Sequence, residues 1–276
     1  MNARGRAVPS LVRDLQRLGV RGGDLVIAHS SFKSLGLSDV APADVIRSFL
    51  DLLGPDGTLM MPTFTYSYVG VWNVQPYHPA TTPGILNGIL TETLRQYPGA
   101  LRSGHPTYSV AAIGRHAEAI TRDKERASAL GRGSSYEVAI KLGARTVLLG
   151  VGNNSNSALH YAEVAADLPY NDIPFREFWG RAALVQRNGR TEQVPLVSEF
   201  PGCSSNFPVA DGYLRELGIV QEGKLGAADC KLMDAGAMVE AVVRRLKREP
   251  AWLLCSGITC EPCSRRKVRL RERGLI

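Results

Sequence analysis

Hydrophobic positions follow two different periods along the first 165 residues of this 276-residue chain. Segments with apolar residues at helical spacing predict amphipathic helices, and the short apolar runs between them predict buried strands. This alternation predicts an α/β layered fold, with a largely parallel central sheet flanked by helices. The predicted helices cover residues 8–20, 40–54, 85–99, 114–123 and 134–143, and the predicted strands cover residues 24–32, 57–67, 107–114 and 145–152.

The pattern changes after residue 165. Polar and apolar residues alternate on both sides of Asn188-Gly189, which predicts a small antiparallel hairpin over residues 181–200. A helix over 234–250 and a last strand over 251–257 are expected to follow. We interpret residues 1–276 as a single domain, in which residues 165–215 form an insertion or cover on the substrate side.

Positive charge is concentrated at the C-terminal end. The net charge is +7, and the last twelve residues contribute five of these charges. We therefore expect residues 264–276 to form a basic tail, either a solvated helix or a frayed end. The remainder is nearly balanced and lacks a nucleic-acid motif, so no nucleic-acid partner is expected. With no run of 18 apolar residues and no apolar leader, we expect a soluble cytoplasmic protein without a membrane partner.

The cysteines all lie in the C-terminal third of the chain. The motif "CEPC" has the spacing of half a zinc site or of a redox pair, and zinc could also recruit Cys255 and one distant ligand. No second paired motif exists, and the cysteine count is odd. We therefore predict reduced thiols and no bound metal. The five residues are Cys203, Cys230, Cys255, Cys260 and Cys263.

Two loops that follow predicted strands are candidate ligand sites, because ligands bind at the carboxyl ends of strands in open α/β sheets. The segment "HSSFKSLG" (29–36) offers backbone N–H groups and the Lys33 ammonium to a phosphate, although it is not a P-loop and alone suits a plain capped turn. The segment "RSGHPTYS" (102–109) places His105 before Pro106, where a structural hydrogen-bonding role is the simpler interpretation.

A third candidate site lies in "NSNSALHYAE" (154–163), after the clearest buried strand. Ser157, His160 and Glu163 are three residues apart and therefore share one face of a helix. Ser157 is a reasonable helix N-cap. The helix N-terminus favours a neutral, basic imidazole at His160, which Glu163 could orient; Glu163 could instead bind a cationic substrate.

Five segments in this order, "HSSFKSLG", "GTLMMPTFTYS", "RSGHPTYSVAAIG", "GSSYEVAIKLGA" and "LLGVGNNSNSALHYAE", together resemble the aminoglycoside 3-N-acetyltransferase family. This family has its own α/β fold, distinct from the small four-motif acetyltransferase superfamily. The resemblance implies an enzyme that uses acetyl-CoA as cosubstrate. It also implies transfer of acetyl to a primary amine, the 3-amino group of an aminoglycoside or that of a related amino-sugar.

The resemblance also implies roles for individual residues. His160 matches the catalytic histidine, Ser157 stands where a threonine is usual, and Glu163 is the acidic residue that closes the motif. The amine would attack the thioester directly, with His160 as general base. The implied coenzyme A site consists of His29, Ser30, Ser31, Phe32, Lys33, Ser34, Leu35 and Gly36, together with His105, Ser109 and Val110.

A polycationic acceptor would need carboxylates in its cleft. The candidates near the catalytic motif are Glu163, Asp167, Asp172, Glu177 and Glu199. Sequence does not establish which of these carboxylates face the cleft, and it leaves the oligomeric state open.

Other interpretations of the motif remain. A serine hydrolase using Ser157 and His160 would lack the G-x-S-x-G elbow. A metal enzyme using His160 and Glu163 would lack a second histidine. The chain could also be an acetyltransferase of this fold for a small amine other than an aminoglycoside, or a binding protein without activity.

Overall fold

The computed structural model describes residues 3–176 and 181–276, with side chains from residue 8 onward. Strands and helices alternate through the first 165 residues, as the sequence predicts. The strands are β1 (Leu25–Ser30), β2 (Thr58–Pro62), β3 (Leu101–Arg102), β4 (Val110–Gly114), β5 (Arg145–Leu149), β6 (Ala182–Arg187), β7 (Arg190–Pro195), β8 (Val220–Leu225) and β9 (Ala228–Asp234).

The helices are amphipathic or fully buried, and several have recognisable termini. Pro42 begins one helix, and the Ser134 hydroxyl caps another by accepting from the Glu137 backbone N–H, as the sequence predicts. The helices are α1 (Ala3–Leu18), α2 (Pro42–Leu53), α3 (Ile89–Arg95), α4 (Ala117–Thr121), α5 (Ser135–Lys141), α6 (Ala158–Ala165), α7 (Ala210–Glu216), α8 (Ala235–Arg248) and α9 (Glu261–Glu272).

The central sheet has the strand order β3-β4-β2-β1-β5-β9-β8. Its central strands β2, β1 and β5 run parallel, and the flanking strands β4, β3, β9 and β8 are added in antiparallel pairings. The layered α/β architecture is thus confirmed, with parallel pairing confined to the centre. The carboxyl ends of β2, β1 and β5 therefore open on the same edge, where ligand sites of such sheets lie.

Both faces of the sheet are covered by helices. Alternate residues of β1 point to opposite sides: Leu25 and Ile27 join one core cluster, and Val26 and Ala28 join the other. Helices α1 to α3 supply the second cluster, and α4 to α9 supply the first. Because both faces are buried, the central strands are apolar throughout, which is why they were readily identified in the sequence.

The predicted hairpin is confirmed as a separate two-stranded sheet of β6 and β7. Asn188 and Gly189 both have positive φ angles, 49° and 73°, as a type I′ turn requires. Bridges from Tyr68 and Tyr77 join β6 to the loop that follows β2. The hairpin therefore lies against the loop on the carboxyl-terminal side of the sheet.

The prediction of a strand over residues 251–257 is wrong. These residues form turns, in which Leu253 and Leu254 are buried against the helical core. The strand beside β5 is β9, paired with β8 at the sheet edge. The sequence pattern does not predict the β8–β9 hairpin, because β8 is mostly polar, as suits an edge strand.

The prediction of a solvated C-terminal tail is also wrong in part. Residues 264–276 contribute most of α9, in which Leu270 is buried and the Arg266 side chain is only 1% exposed. Arg266 Nη2 donates to the carbonyl oxygens of Ile173 and Phe200, at 3.0 and 2.8 Å. The helix thus closes over the segment that follows α6. Across the described ranges, no helix is long and apolar enough to cross a membrane.

Gly150, directly after β5, has a φ angle of +63°, and a Cβ atom built there would lie 2.6 Å from the Cβ of Ser34. We therefore expect Gly150→Ala to combine backbone strain with a collision. Gly143 is a matched control, since it also has a positive φ but open space around it. Gly143→Ala should cost about 1 kcal/mol of unfolding free energy, and Gly150→Ala at least about 1 kcal/mol more. Equal losses in urea unfolding would show that the loops are not tightly packed here.

Candidate active site

A cavity of about 800 Å³ opens at the carboxyl ends of β1, β2 and β5. Its wall comes from the loops after these strands, the start of α6 and the segment before α7. The lining segments are residues 29–33, 62, 64, 66, 68, 86–89, 91, 108, 130, 151, 154–157, 160, 174–175 and 200–205.

An asparagine network shapes the loop that leads from β5 into α6. Asn153 is fully buried, and its amide donates to the Asp211 carboxylate at 2.7 Å. Its side-chain oxygen in turn accepts from Asn156 at 2.9 Å, while Asp211 is paired with Lys231. Short amide side chains can satisfy both donors and acceptors of a buried turn. The run "NNSNS" therefore fixes the position from which α6 starts.

Ser157 occupies the predicted N-cap position, directly before α6. Its backbone is helical and its hydroxyl makes no capping hydrogen bond, so the side chain does not cap the helix. The residue lines the cavity one turn before His160. It lies near the phenol of Tyr136, whose pKa is raised by burial.

His160 and Glu163 form the predicted pair on one face of α6. The Nδ1 of His160 lies 2.8 Å from Oε2 of Glu163, and the imidazole packs against Phe207 with ring centroids 4.7 Å apart. Because Nδ1 faces the carboxylate, Nε2 is the ring nitrogen left for the cavity. The phenyl ring and the carboxylate together fix the orientation of the imidazole.

Glu163 is enclosed within the protein, with its side chain 3% exposed. The Tyr170 hydroxyl donates to Oε1 at 3.3 Å, and Nη1 of Arg266 lies 3.5 Å from the same oxygen. Glu163 therefore contacts His160 from inside the protein and is not among the described residues that line the cavity, whereas the sequence predicts that it also binds the substrate. Tyr170 and Arg266 were missed, because neither residue lies in a recognisable motif.

The other predicted substrate carboxylates also lie outside the cavity wall. Asp167 and Glu199 both pair with Arg132, at 3.1 and 2.5 Å, and Asp172 pairs with Arg269 at 3.1 Å. Their partners are arginines that sequence reasoning did not consider. Glu177 lies outside the described residues. Of the wall residues that the structure describes, none is an aspartate or a glutamate.

The end of β1 and the start of the turn that follows it form part of the cavity wall. Residues 29–33 line the wall, whereas Ser34, Leu35 and Gly36 lie behind it. Gly36 closes the turn with a φ of 61°, and its N–H donates to the Lys33 carbonyl at 3.3 Å. The Lys33 side chain is exposed, so its ammonium is free to meet an anion at the cavity edge.

His29 is a buried member of the cavity wall. Burial lowers the pKa of His29 to about 4, so the imidazole is neutral at physiological pH. Its ring lies parallel to that of Tyr136, and its Nε2 has no hydrogen-bond partner among the described residues. His29 is thus a neutral wall residue and not a second cation.

The residues predicted to form the second part of the coenzyme A site have internal roles. His105 Nδ1 accepts from the Tyr108 backbone N–H at 2.9 Å, and burial lowers the pKa of His105 to about 4. The Ser109 hydroxyl donates to the Thr63 carbonyl at 2.7 Å, and Val110 is in the core. Within the described structure these three residues lie behind the wall, and Tyr108 is the residue of this segment that lines the cavity.

Comparison with known proteins agrees with this geometry. The family model for aminoglycoside 3-N-acetyltransferases matches residues 27–247. Aminoglycoside N(3)-acetyltransferase III from Salmonella sp is 32% identical over 270 residues, which cover 87% of this chain and 91% of that protein.

Two solved structures are similar over most of the chain. One is a variant of aminoglycoside acetyltransferase AAC(3)-IVa, with a histidine changed to alanine, in complex with gentamicin. It has a TM-score of 0.83 and 30% identity, and the match covers 95% of this chain and 96% of that one. The other is AAC-IIIb with CoASH, which has a TM-score of 0.76 and 26% identity and covers 88% and 97% of the two chains.

The cavity lies at the ends of the parallel strands, and a buried glutamate holds a histidine there. The matches to known proteins extend over most of the chain. The chain belongs to the aminoglycoside 3-N-acetyltransferase family, whose members are acyltransferases with acetyl-CoA as cosubstrate.

Proposed function

We propose that this protein transfers an acetyl group from acetyl-CoA to the 3-amino group of an aminoglycoside, with His160 as the general base. The observation that carries the proposal is the contact of 2.8 Å between His160 Nδ1 and the enclosed Glu163, beside the cavity. Similar enzymes bound to gentamicin and to CoASH support the two substrates.

The contact with Glu163 selects the tautomer of His160. A carboxylate accepts hydrogen bonds only, so Nδ1 carries the proton and Nε2 is the acceptor. Nε2 takes a proton from the substrate amine as the amine nitrogen attacks the thioester carbonyl. When the carbon–sulfur bond breaks, the imidazolium returns that proton to the departing thiolate. The reaction then leaves the acetamide and the free thiol.

The surroundings of Glu163 favour this cycle. The imidazolium formed during transfer lies beside a carboxylate, and Arg266 and Tyr170 hold that carboxylate in place from its other side. The oxyanion of the tetrahedral intermediate needs donors of its own. The Ser157 hydroxyl is the candidate, because it lies in the cavity wall one turn from His160.

Lys33 is the candidate contact for the phosphates of acetyl-CoA. It carries the one ammonium or guanidinium group among the wall residues that the structure describes. The backbone of the turn after β1 adds N–H donors, and the turn lies beside the end of β5 because Ser31 N–H donates to the Leu149 carbonyl at 2.9 Å.

A second candidate function is acetylation of a small amine that is not an aminoglycoside. The observation that favours it is the lack of carboxylates in the described wall, since a polycation is usually held by negative charge. An acetyl-transfer screen with aminoglycosides, amino-sugars and polyamines, read by mass spectrometry, decides between the two. Failure of every amine, together with failure to bind acetyl-CoA, would contradict both.

We expect His160→Ala to keep the fold and the affinity for coenzyme A but to lower kcat. Loss of a general base typically costs about 10²–10⁴-fold. Steady-state kinetics at neutral pH and calorimetry with coenzyme A measure the two effects. His116→Ala is the matched control, because His116 precedes α4 and does not line the cavity. A near-normal kcat of His160→Ala would show that His160 is not the general base.

Glu163→Gln tests the supporting role of the carboxylate. Its amide can donate to Nδ1, which moves the imidazole proton to Nε2 and removes the base. We expect kcat to fall by at least about 10-fold, by analogy with the orienting carboxylate of serine proteases, while the KM for the amine changes little. A raised KM with unchanged kcat would instead indicate a direct contact between Glu163 and the substrate.

Lys33→Glu should weaken acetyl-CoA binding more than amine binding, because charge reversal beside a phosphate is unfavourable. We expect the KM for acetyl-CoA to rise by about 10-fold or more, with a smaller effect at high salt because exposed charges are screened. Lys247→Glu on α8 has the same charge change on an exposed surface away from the cavity. Equal coenzyme affinities for the two variants would place the phosphates elsewhere.

A further inference from the structure

Four of the five cysteines converge beside the cavity, although they are far apart in the sequence. The Sγ atoms of Cys203, Cys255, Cys260 and Cys263 all lie within 4.8 Å of one another. Cys203 comes from the segment before α7, Cys255 from the turns after α8, and the other two from the start of α9. Cys230 lies apart in β9 and serves as an internal reference.

The spacing of the sulfur atoms suits a shared metal ion. Zinc binds thiolates at about 2.3 Å, so the sulfur atoms of a tetrahedral four-cysteine site are about 3.8 Å apart. Cys203 Sγ and Cys255 Sγ are 3.8 Å apart. A disulfide would require about 2.05 Å.

We propose that Cys203, Cys255, Cys260 and Cys263 form a structural zinc site. Four thiolates are the soft ligand set that selects zinc over magnesium or calcium. Because the protein fills all four tetrahedral positions, the ion has no open position for a water or substrate, and its role is structural. The sequence favoured reduced thiols because the fourth ligand, Cys203, has no motif of its own.

Zinc bound by four thiolates carries a net charge of −2, and the groups around the four cysteines stabilise negative charge. The Ser205 backbone N–H donates to Cys203 Sγ at 3.4 Å. Cys260 is the N-cap residue of α9 and Cys263 lies in its first turn, where the helix dipole favours negative charge. The Lys267 ammonium donates to the backbone carbonyls of Cys255 and Ser256, at 2.5 and 3.2 Å. These contacts orient the ligands and place positive charge nearby.

The site connects the last helix to the catalytic pair. Arg266, three residues after Cys263, packs against Gly202 and reaches Glu163. Cys203 itself belongs to the cavity wall. A metal ion that ties Cys203 to the start of α9 therefore fixes both the wall and the arginine that supports the glutamate. The inference rests on the cysteines alone and holds whichever amine is the substrate.

Elemental analysis of the purified chain tests the site directly. We expect about one zinc ion per chain, released when a mercurial reagent blocks the thiols. We expect less than about a tenth of this zinc in two variants, Cys203→Ser and the double variant Cys260→Ser with Cys263→Ser. The control variant Cys230→Ser should retain all of the zinc. Cobalt substitution should give the visible spectrum of a tetrahedral thiolate site in the wild type and in Cys230→Ser only.

The wild-type measurements keep the inference testable even if a serine variant fails to fold. Less than about a tenth of a zinc ion per chain, after growth and purification with zinc and without chelators, would overturn it. So would a disulfide among the four residues, found by mass spectrometry of the alkylated native chain. Zinc retained in full by the double variant would place the ion elsewhere and would likewise contradict the site.

Discussion

The pairing of His160 with an enclosed carboxylate is the interaction on which the active site depends. A buried carboxylate is stable only when other groups share its charge, so Glu163 needs Arg266 and Tyr170 as much as His160 needs Glu163. This requirement links α6 to α9 across the cavity edge. The position of the proposed base is thus set by packing and charge in the first core cluster, and not by α6 alone.

Sequence patterns predicted the parts of the molecule that local rules determine. The β6–β7 hairpin follows from Asn188-Gly189, and His160 and Glu163 meet because they are three residues apart on a helix. The ion pairs of two predicted substrate carboxylates were not predicted: Asp172 and Glu199 each pair with an arginine that is distant in the sequence. Long-range pairs of this kind have no local signature, and the convergence of Cys203 with the start of α9 had none either.

The two proposed ligands, the phosphates of acetyl-CoA and a cationic amine, make different demands on the cavity wall. The proposed phosphate contact at Lys33 requires only one exposed ammonium beside a turn that offers N–H groups, and both features are local in the sequence. Recognition of a cationic amine is less local. For the proposed cationic substrate, the described wall offers hydroxyl groups and the aromatic faces of residues such as Phe64, Tyr66 and Tyr108, and such faces attract cations through their ring electrons.

The position of Arg266 in the chain has a consequence for biosynthesis. His160 and Glu163 emerge from the ribosome about a hundred residues before the arginine that compensates the glutamate. Until α9 docks, the nascent domain carries a buried acid without its full complement of partners. The strands named above all precede α9 in the chain, whereas the proposed catalytic face is complete only when α9 has docked.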